Sequence, residues 1–427
     1  MAIPSREAIE RYEARILAYE RDRQSRAGPA RRRPPLRAVE LDEPRVRNPA
    51  RPRRQPRPRP RGERRPSAGR LRARRIVVLT ALILLLDLLV SFGGTLAAPS
   101  NVSFGVRAVE WLRDNGAAGA VSEIESIYYS LNAPATGGPA LKRLPETGAG
   151  ARLQTTRNAP APLPPVLTPA LPGEGQWRRT GPLVGGAAPV LVTTFRPDPN
   201  YPQLVAGVAW IDRARTRLAL YPGRYEPPND GAQVAEVPPR LRAGLLATFN
   251  SGFKLEDSGG GFFSQGHLYA PLRDGQATLV GYDDGTVDVR TWAGGPDPGP
   301  GIALARQNLP LILENGQLNP ALSNDSLWGA TLGNAVRVWR SGIGVDPRGN
   351  LIYAAADIQT AASLARILQR AGAVRAMELD INYEWTTFNF YGTFDAGDAG
   401  KLLPDMSRPA TRYLSPDDRD FFAVYAW

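Results

Sequence analysis

Leu351 to Asn382 reads LIYAAADIQTAASLARILQRAGAVRAMELDIN, and this stretch decides the fold. Leu351–Ala355 is a short apolar run of strand length, bounded upstream by a turn at Asp346–Asn350. Thr360 stands where a helix N-cap belongs. Leu364, Ile367 and Leu368 then share one face, and Gly372 closes the helix. Val374–Asn382 follows at once as a strand, with Met377, Leu379 and Ile381 pointing one way and Glu378, Asp380 and Asn382 the other. A single clear helix between two strands, in a chain otherwise built of short strands and turns, predicts an α+β fold. Its sheets are expected to be mixed and largely antiparallel, with few helices, in a C-terminal domain over 176–427.

The surrounding pattern supports this reading. Leu204–Ile211 and Arg217–Tyr221 alternate around a tight connection, which predicts a hairpin. Gly244–Phe249, His267–Pro271, Ala277–Tyr282 and Thr286–Trp292 are further strands, with Asp283-Asp284-Gly285 turning between the last two. Leu309–Leu313, Val336–Trp339 and Gly342–Val345 complete the set.

Upstream of the domain the chain changes character. Residues 133–175 are rich in Pro, Gly and Ala and read as a linker that lifts the domain off a membrane. Residues 99–132 form a membrane-proximal helical segment: Val106, Val109 and Leu112, then Val121, Ile124, Ile127 and Tyr128, are interrupted at Asn115-Gly116. Ile76–Ala98 is 23 residues with one charge, Asp87, long enough to cross a bilayer core of about 30 Å. Arg70, Arg72, Arg74 and Arg75 precede it and no such cluster follows. The N-terminus is therefore expected in the cytoplasm and the C-terminal domain outside, in a single-pass protein of the plasma membrane. Residues 1–75 form an Arg- and Pro-rich cytoplasmic tail, helical over 5–24 and disordered over 28–66. It is suited to the anionic inner leaflet or to a cytoplasmic partner.

Charge follows the same division. The net charge is +12, but residues 1–75 alone hold 24 Arg and 9 acidic residues, and the remainder is slightly acidic. The folded part thus has no basic surplus that calls for nucleic acid. The chain has no Cys and one His, His267, which excludes thiolate chemistry and multi-His metal sites. No cofactor is expected; Asp and Glu are plentiful enough for a divalent cation, but no ligand spacing specifies one.

The candidate chemistry lies in three places. Glu378 and Asp380 line one face of a strand flanked by Tyr383, Trp385, Phe388, Phe390 and Tyr391, an arrangement suited to a sugar cleft; a solvated strand face is the alternative. Asn250-Ser251-Gly252-Phe253, followed by Gly259–Phe263, is a Gly-rich turn after a strand. Arg340-Ser341-Gly342 opens a strand and offers a guanidinium to an anion, or forms a surface salt bridge.

The order of Thr248–Phe253, the Asn315-Gly316 turn, Arg340–Asp346 and the closing helix–strand unit ending Leu379-Asp380 resembles the phosphodiester glycosidase family, over about 176–427. Residues 107–134, with Glu110-Trp111-Leu112-Arg113 and Tyr128-Tyr129, are similar to the membrane-proximal segment of actinobacterial members. The resemblance implies hydrolysis of a sugar-1-phosphodiester. It implies substrate or phosphate binding by Asn250, Gly252, Asn315, Arg340 and Asn382, and catalysis by Asp380 with Glu378 or Glu384 as second carboxylate. Asp380 is followed here by Ile381-Asn382-Tyr383-Glu384, where the family has glycines and a serine. Two functions fit this pattern: an extracytoplasmic glycosidase acting on a phosphorylated envelope glycan, or a non-catalytic glycan-binding or envelope-organising protein on the same fold.

Overall fold

The computed structural model describes residues 68–98, 100–117, 119–121, 136–147, 158–229, 234–329 and 336–427. The helix expected over 5–24, the disorder over 28–66, Ile124–Tyr129 and the middle of the expected linker lie outside the described residues.

Helix α1 (Ala68–Ala97) contains the apolar span, and Arg74–Ala97 is long and apolar enough to cross a membrane. Its side chains lie exposed from Ile76 to Val90. Helix α2 (Phe104–Leu112) starts at Ser103, whose hydroxyl accepts the Val106 N–H. It ends in a wide turn broken at Asn115 and at Gly116, whose φ is 87°.

The strands follow in chain order. They begin with β1 (Arg178–Arg179), β2 (Val190–Phe195), β3 (Ala206–Ile211), β4 (Thr216–Tyr221) and β5 (Leu245–Asn250). A single turn of helix, α3 (Leu255–Ser258), leads to β6 (Phe262–Ser264), β7 (His267–Ala270), β8 (Ala277–Tyr282), β9 (Val287–Thr291) and β10 (Ile302–Gln307). Then come β11 (Leu311–Glu314), β12 (Gln317–Leu318), β13 (Val338–Val345) and β14 (Leu351–Gln359). Helix α4 (Ala361–Arg370) precedes β15 (Arg375–Glu378), β16 (Phe388–Tyr391), β17 (Ala399–Lys401) and β18 (Phe421–Ala426).

Three antiparallel sheets result: β1-β2-β3-β14-β13-β15-β11-β12, β7-β6-β10-β8-β9 and β17-β16-β5-β18-β4. The fold is α+β, as the alternation of short strands with one long-faced helix requires. Strand β14 shows why the large sheet is the central layer. Leu351, Tyr353 and Ala355 enter the core shared with the five-stranded sheets, while Ile352, Ala354 and Ala356 enter the core under α4. Helix α4 is capped reciprocally: Thr360 Oγ1 accepts the Ser363 N–H, and Ser363 Oγ accepts the Thr360 N–H. It carries the chain from β14 over β13 to β15, so the two flanking strands run parallel to each other.

Several boundaries differ from the sequence reading, each for a physical reason. β3 and β4 do not form a hairpin. Both edges of β3 are taken, by β2 and β14, so the chain crosses at Asp212–Arg215 and β4 pairs with β18. Val336–Trp339 and Gly342–Val345 merge into β13, with an irregularity between Val338 and Arg340 instead of a turn. The strand expected over Val374–Asn382 stops at Glu378: the Leu379 N–H bonds Ser341 O, but the Asp380 N–H turns to Ser251 O in another layer.

The stretch read as a linker is attached to the domain at its C-terminal end. Leu163 is buried in the α4 core, and Glu174 is buried against Arg196 at 2.8 Å. The chain just after α1 is attached as well. Ser100 Oγ donates to Asp418 at 2.9 Å, Asn101 donates to Arg412 O at 2.8 Å, and Val102 is buried. These ties fasten residues 100–102, just after α1, to the domain.

Candidate active site

The end of β5, the turn after β10, the end of β15 and the start of β18 meet at one buried polar cluster. Asn250 is its hub. Its Oδ1 accepts from Tyr353 OH at 2.8 Å and from the Thr387 N–H at 3.0 Å. Its Nδ2 donates to Ser341 Oγ at 3.0 Å, and Ser341 Oγ in turn donates to Asp380 O at 2.7 Å. A buried Asn with both ends satisfied fixes the surrounding backbone. Gly252 follows in contact with Asn308: a Cβ on it would stand 3.1 Å from Asn308 Cγ. Asn308 Nδ2 donates to Glu378 O at 2.8 Å, which ties the turn to the end of β15.

Asp380 lies at the outer side of this cluster. Its Oδ1 accepts the Asn382 N–H at 2.8 Å and its Oδ2 accepts from Arg419 Nη2 at 2.8 Å. Arg419 Nη2 also donates to Gly252 O at 3.2 Å, and its guanidinium stacks on Trp385 at 5.3 Å. Burial pushes the Asp380 carboxyl above its ordinary value; Arg419 and the Asn382 N–H counter it without cancelling it. Behind them Arg306 pairs with Asp420 at 2.7 Å and donates to Phe253 O.

Glu378 and Arg340 occupy a different position from the one expected. They form a buried ion pair with side chains 0% and 1% exposed. Arg340 also donates to Gln359 O and Trp328 O, so its guanidinium is engaged with the protein itself and does not present itself to solvent. Gln359 is delivered by Ile358, which sits at φ 60°, a costly conformation for a β-branched residue. Burial pushes Glu378 up to about 7, against the pull of Arg340. Its Oε2 has no hydrogen-bond partner.

The other expected residues divide. Asn382 is half-buried at the rim, where its Oδ1 accepts the Glu384 N–H at 2.9 Å; Glu384 lies beside it. Asn315 is not brought to the cluster. It is the left-handed turn residue between β11 and β12, exposed, near Val374 at the opposite end of β15 from Glu378. Among the described residues no group of three or more His, Asp and Glu converges as a metal site would.

Sequence reasoning missed Arg306, Asn308, Tyr353, Arg419 and Asp420. The run Asp417-Asp418-Arg419-Asp420 directly before the apolar β18 was the available signal. Four charges at the mouth of a core strand require partners. It also missed Lys254, which follows the Asn250–Phe253 turn. Lys254 bonds Glu110 of α2 at 3.2 Å and Asp114 at 3.4 Å. Burial raises Glu110, but Lys254, Arg113 and Arg419 outweigh it and hold the carboxyl below its ordinary value. Helix α2 is thus electrostatically part of this cluster.

Comparison with known proteins addresses the same residues. Several solved structures are similar in part, and two of them illustrate the extent. One is the zebrafish N-acetylglucosamine-1-phosphodiester alpha-N-acetylglucosaminidase catalytic domain auto-inhibited by pro-peptide, at 15% identity over 56% of this chain and 84% of that one, with a TM-score of 0.40. The other is a protein from Synechocystis, at 13% identity over 58% of this chain and 65% of that one, with a TM-score of 0.35. No curated protein sequence matches the chain. Residues 243–380 match the phosphodiester glycosidase family, and this is the stretch that supplies Asn250, Gly252, Arg306, Arg340, Glu378 and Asp380 to the cluster.

Proposed function

We propose that the chain is a membrane-anchored glycosidase that hydrolyses a sugar-1-phosphodiester, with its C-terminal domain outside the cytoplasm and an envelope glycan as substrate. The observation that carries the reading is the buried Asp380–Arg419 pair at 2.8 Å, whose carboxylate belongs to the last residue of the family match. A glycosyl phosphate leaves as a stabilised anion, so the reaction needs little proton donation. It needs charge complementarity at the phosphate and a carboxylate at the anomeric carbon. Asp380 is that carboxylate, oriented by Arg419 and the Asn382 N–H. Arg419 is the cation on Asp380, and Lys254 follows Gly252 and Phe253 in the same turn. Glu378 is sealed behind Arg340 and acts by holding the end of β15, which leaves Glu384 at the rim as second carboxylate. Asn250, Gly252 and Asn382 shape the turn backbones around Asp380. In this reading the Arg-rich tail rests on the anionic inner leaflet.

The full chain in detergent, incubated with sugar-1-phosphodiesters, tests the proposal. Asp380→Asn is expected to fold and to lose at least roughly a hundredfold in rate. No hydrolysis of any such substrate, or an unchanged rate in Asp380→Asn, overturns it. The altered run Ile381–Glu384 favours a second reading, glycan binding without turnover. That reading expects sugar-phosphate binding that survives Asp380→Asn.

A further inference from the structure

The path of the chain between α1 and the cluster says where the substrate must be. Arg107 Nη1 donates to Thr95 O at 3.1 Å and to Ala98 O at 2.6 Å, closing the open end of α1. Four residues further on, Trp111 Nε1 donates to Ser91 Oγ at 3.1 Å, and its ring meets Phe92 at 4.9 Å. Advancing along α2 therefore means going back down α1. The helix folds alongside the last turns of the apolar span, at the depth where Trp is favoured in a bilayer interface. Phe104 (68% exposed, with the Arg107 guanidinium over one face of its ring at 4.9 Å) and Leu112 (39%) remain exposed on it. A helix with apolar residues on one side and Glu110, Arg113 and Lys254 engaged on the other lies in the interface plane.

The same helix and the residues on either side of it are tied to the cluster. Glu110 and Asp114 bond Lys254, Ser100 bonds Asp418 beside Arg419, and Arg408 donates to Asn101 Oδ1 at 2.7 Å. From Ala97 to buried Val102 is five residues, at most roughly 17 Å of extended chain. An enzyme reaching for a distant polymer needs a loose spacer at this point, whereas this chain is fastened to its domain on both sides of it.

We infer that the site is built for a membrane-borne substrate: a sugar-1-phosphodiester whose aglycone is anchored in the bilayer, with its phosphate in the headgroup layer beside Lys254 and Arg419. The inference rests on the proposed activity and names its substrate class. The headgroup layer is where such a phosphate resides, and the interfacial seat of α2 brings Asp380 to it. Confining enzyme and substrate to one surface raises their effective concentration.

Two measurements on the full chain in phospholipid vesicles test it. The chain has no Cys, so Phe104→Cys takes a single bimane label. Its fluorescence is expected to be quenched by lipids carrying a shallow nitroxide, beyond that of a label at Asp284→Cys in the β8–β9 turn. Equal quenching at the two positions overturns the inference. Turnover is then compared between one sugar-1-phosphodiester with a long-chain lipid aglycone and the same sugar phosphate with a short, soluble one. The lipid form is expected to be hydrolysed at least roughly tenfold faster. The double variant Phe104→Ser/Leu112→Ser is expected to lose that preference with short-chain hydrolysis unchanged. Equal rates on both substrates overturn this inference alone; no hydrolysis of either overturns the proposed activity and this inference with it.

Discussion

Replacing Arg419 by Gln removes the cation from Asp380 while keeping an amide that can still donate to it. The two groups are 2.8 Å apart with side chains 10% and 7% exposed, so solvent screens them little. At an effective dielectric constant near 20, opposite charges about 4 Å apart attract by about 4 kcal/mol. Breaking a buried pair from one side costs a similar amount, about 3–5 kcal/mol. Losing the cation also raises the Asp380 carboxyl further, because Arg419 is the strongest influence holding it down against burial. Burial already raises Asp380 above its ordinary value, so the native state holds this proton more tightly than the unfolded chain does. Its ionisation therefore opposes folding, and stability falls as pH rises from the unfolded value through the folded one. Arg419→Gln moves the upper limit of that interval higher. The difference between wild type and variant is thus largest at neutral and alkaline pH and shrinks in acid, where Asp380 is protonated in both. For a domain of this size the expected loss is about 10 °C in Tm at pH 8. Thermal unfolding of the full chain in detergent, followed by tryptophan fluorescence at pH 5 and pH 8, measures it. Arg419→Gln/Asp380→Asn, with no charge left to strand, should recover most of the loss. An equal loss at both pH values, or no recovery in the double variant, refutes the electrostatic account of this pair.

Glu378→Gln strands Arg340 inside the protein and should cost about 3–5 kcal/mol, with Arg340→Met in the same chain restoring much of it in thermal unfolding. The Glu378 carboxyl stands at about 7 in the folded protein, above its unfolded value, so it contributes a decline in stability as pH rises through that interval; the decline should be absent from Glu378→Gln. Gly223→Ala would place a Cβ 2.5 Å from Asp418 O and from Arg419 C. Two backbones must then part, which should cost about 1–3 kcal/mol in stability and lower turnover by displacing Arg419. Thr360→Ala removes the α4 cap and should cost about 1 kcal/mol in unfolding free energy with hydrolysis unchanged.

Local patterns were legible and tertiary decisions were not. The α4 cap, its apolar face, the turns at Asp346–Asn350 and Asp283–Gly285, and the apolar span were all readable, because each is set by residues within a few positions of one another. The β3–β4 connection was misread because hairpin and crossover look alike until it is known that β2 and β14 occupy both edges of β3. Asp380 was legible as a polar group on a strand face in apolar surroundings, and Asn250 only through the Gly-rich turn after a strand and the family resemblance. Arg419 was not singled out: the charged run 417–420 before β18 marked the place, but the partner lies 39 positions away and nothing local says which carboxylate it meets. Asn315 was misassigned for the complementary reason: an Asn-Gly pair marks a left-handed turn wherever it occurs, and here the hairpin is its whole explanation.

The buried arginines explain why so much charge was placed inside one small region. Arg306–Asp420, Arg340–Glu378, Arg412–Asp417 and Arg419–Asp380 are four such pairs, and desolvation makes each a poor source of stability compared with packed apolar side chains. Each guanidinium, however, also donates to a loop carbonyl: Phe253 for Arg306, Trp328 for Arg340, Trp385 for Arg412 and Gly252 for Arg419. Two of those carbonyls lie in the turn after β5, one in the loop that carries Asn382 and Glu384, and one in the segment before β13. A carboxylate fixes the arginine, and the arginine fixes a loop that no sheet ladder holds. A site assembled from turns at the ends of β5, β10 and β15 needs this support to keep Asp380 in one orientation. Apolar replacements of similar volume would pack without the desolvation cost, yet they offer no donor to these carbonyls. The charge buried here is therefore explained by the geometry of the site and not by the stability of the domain.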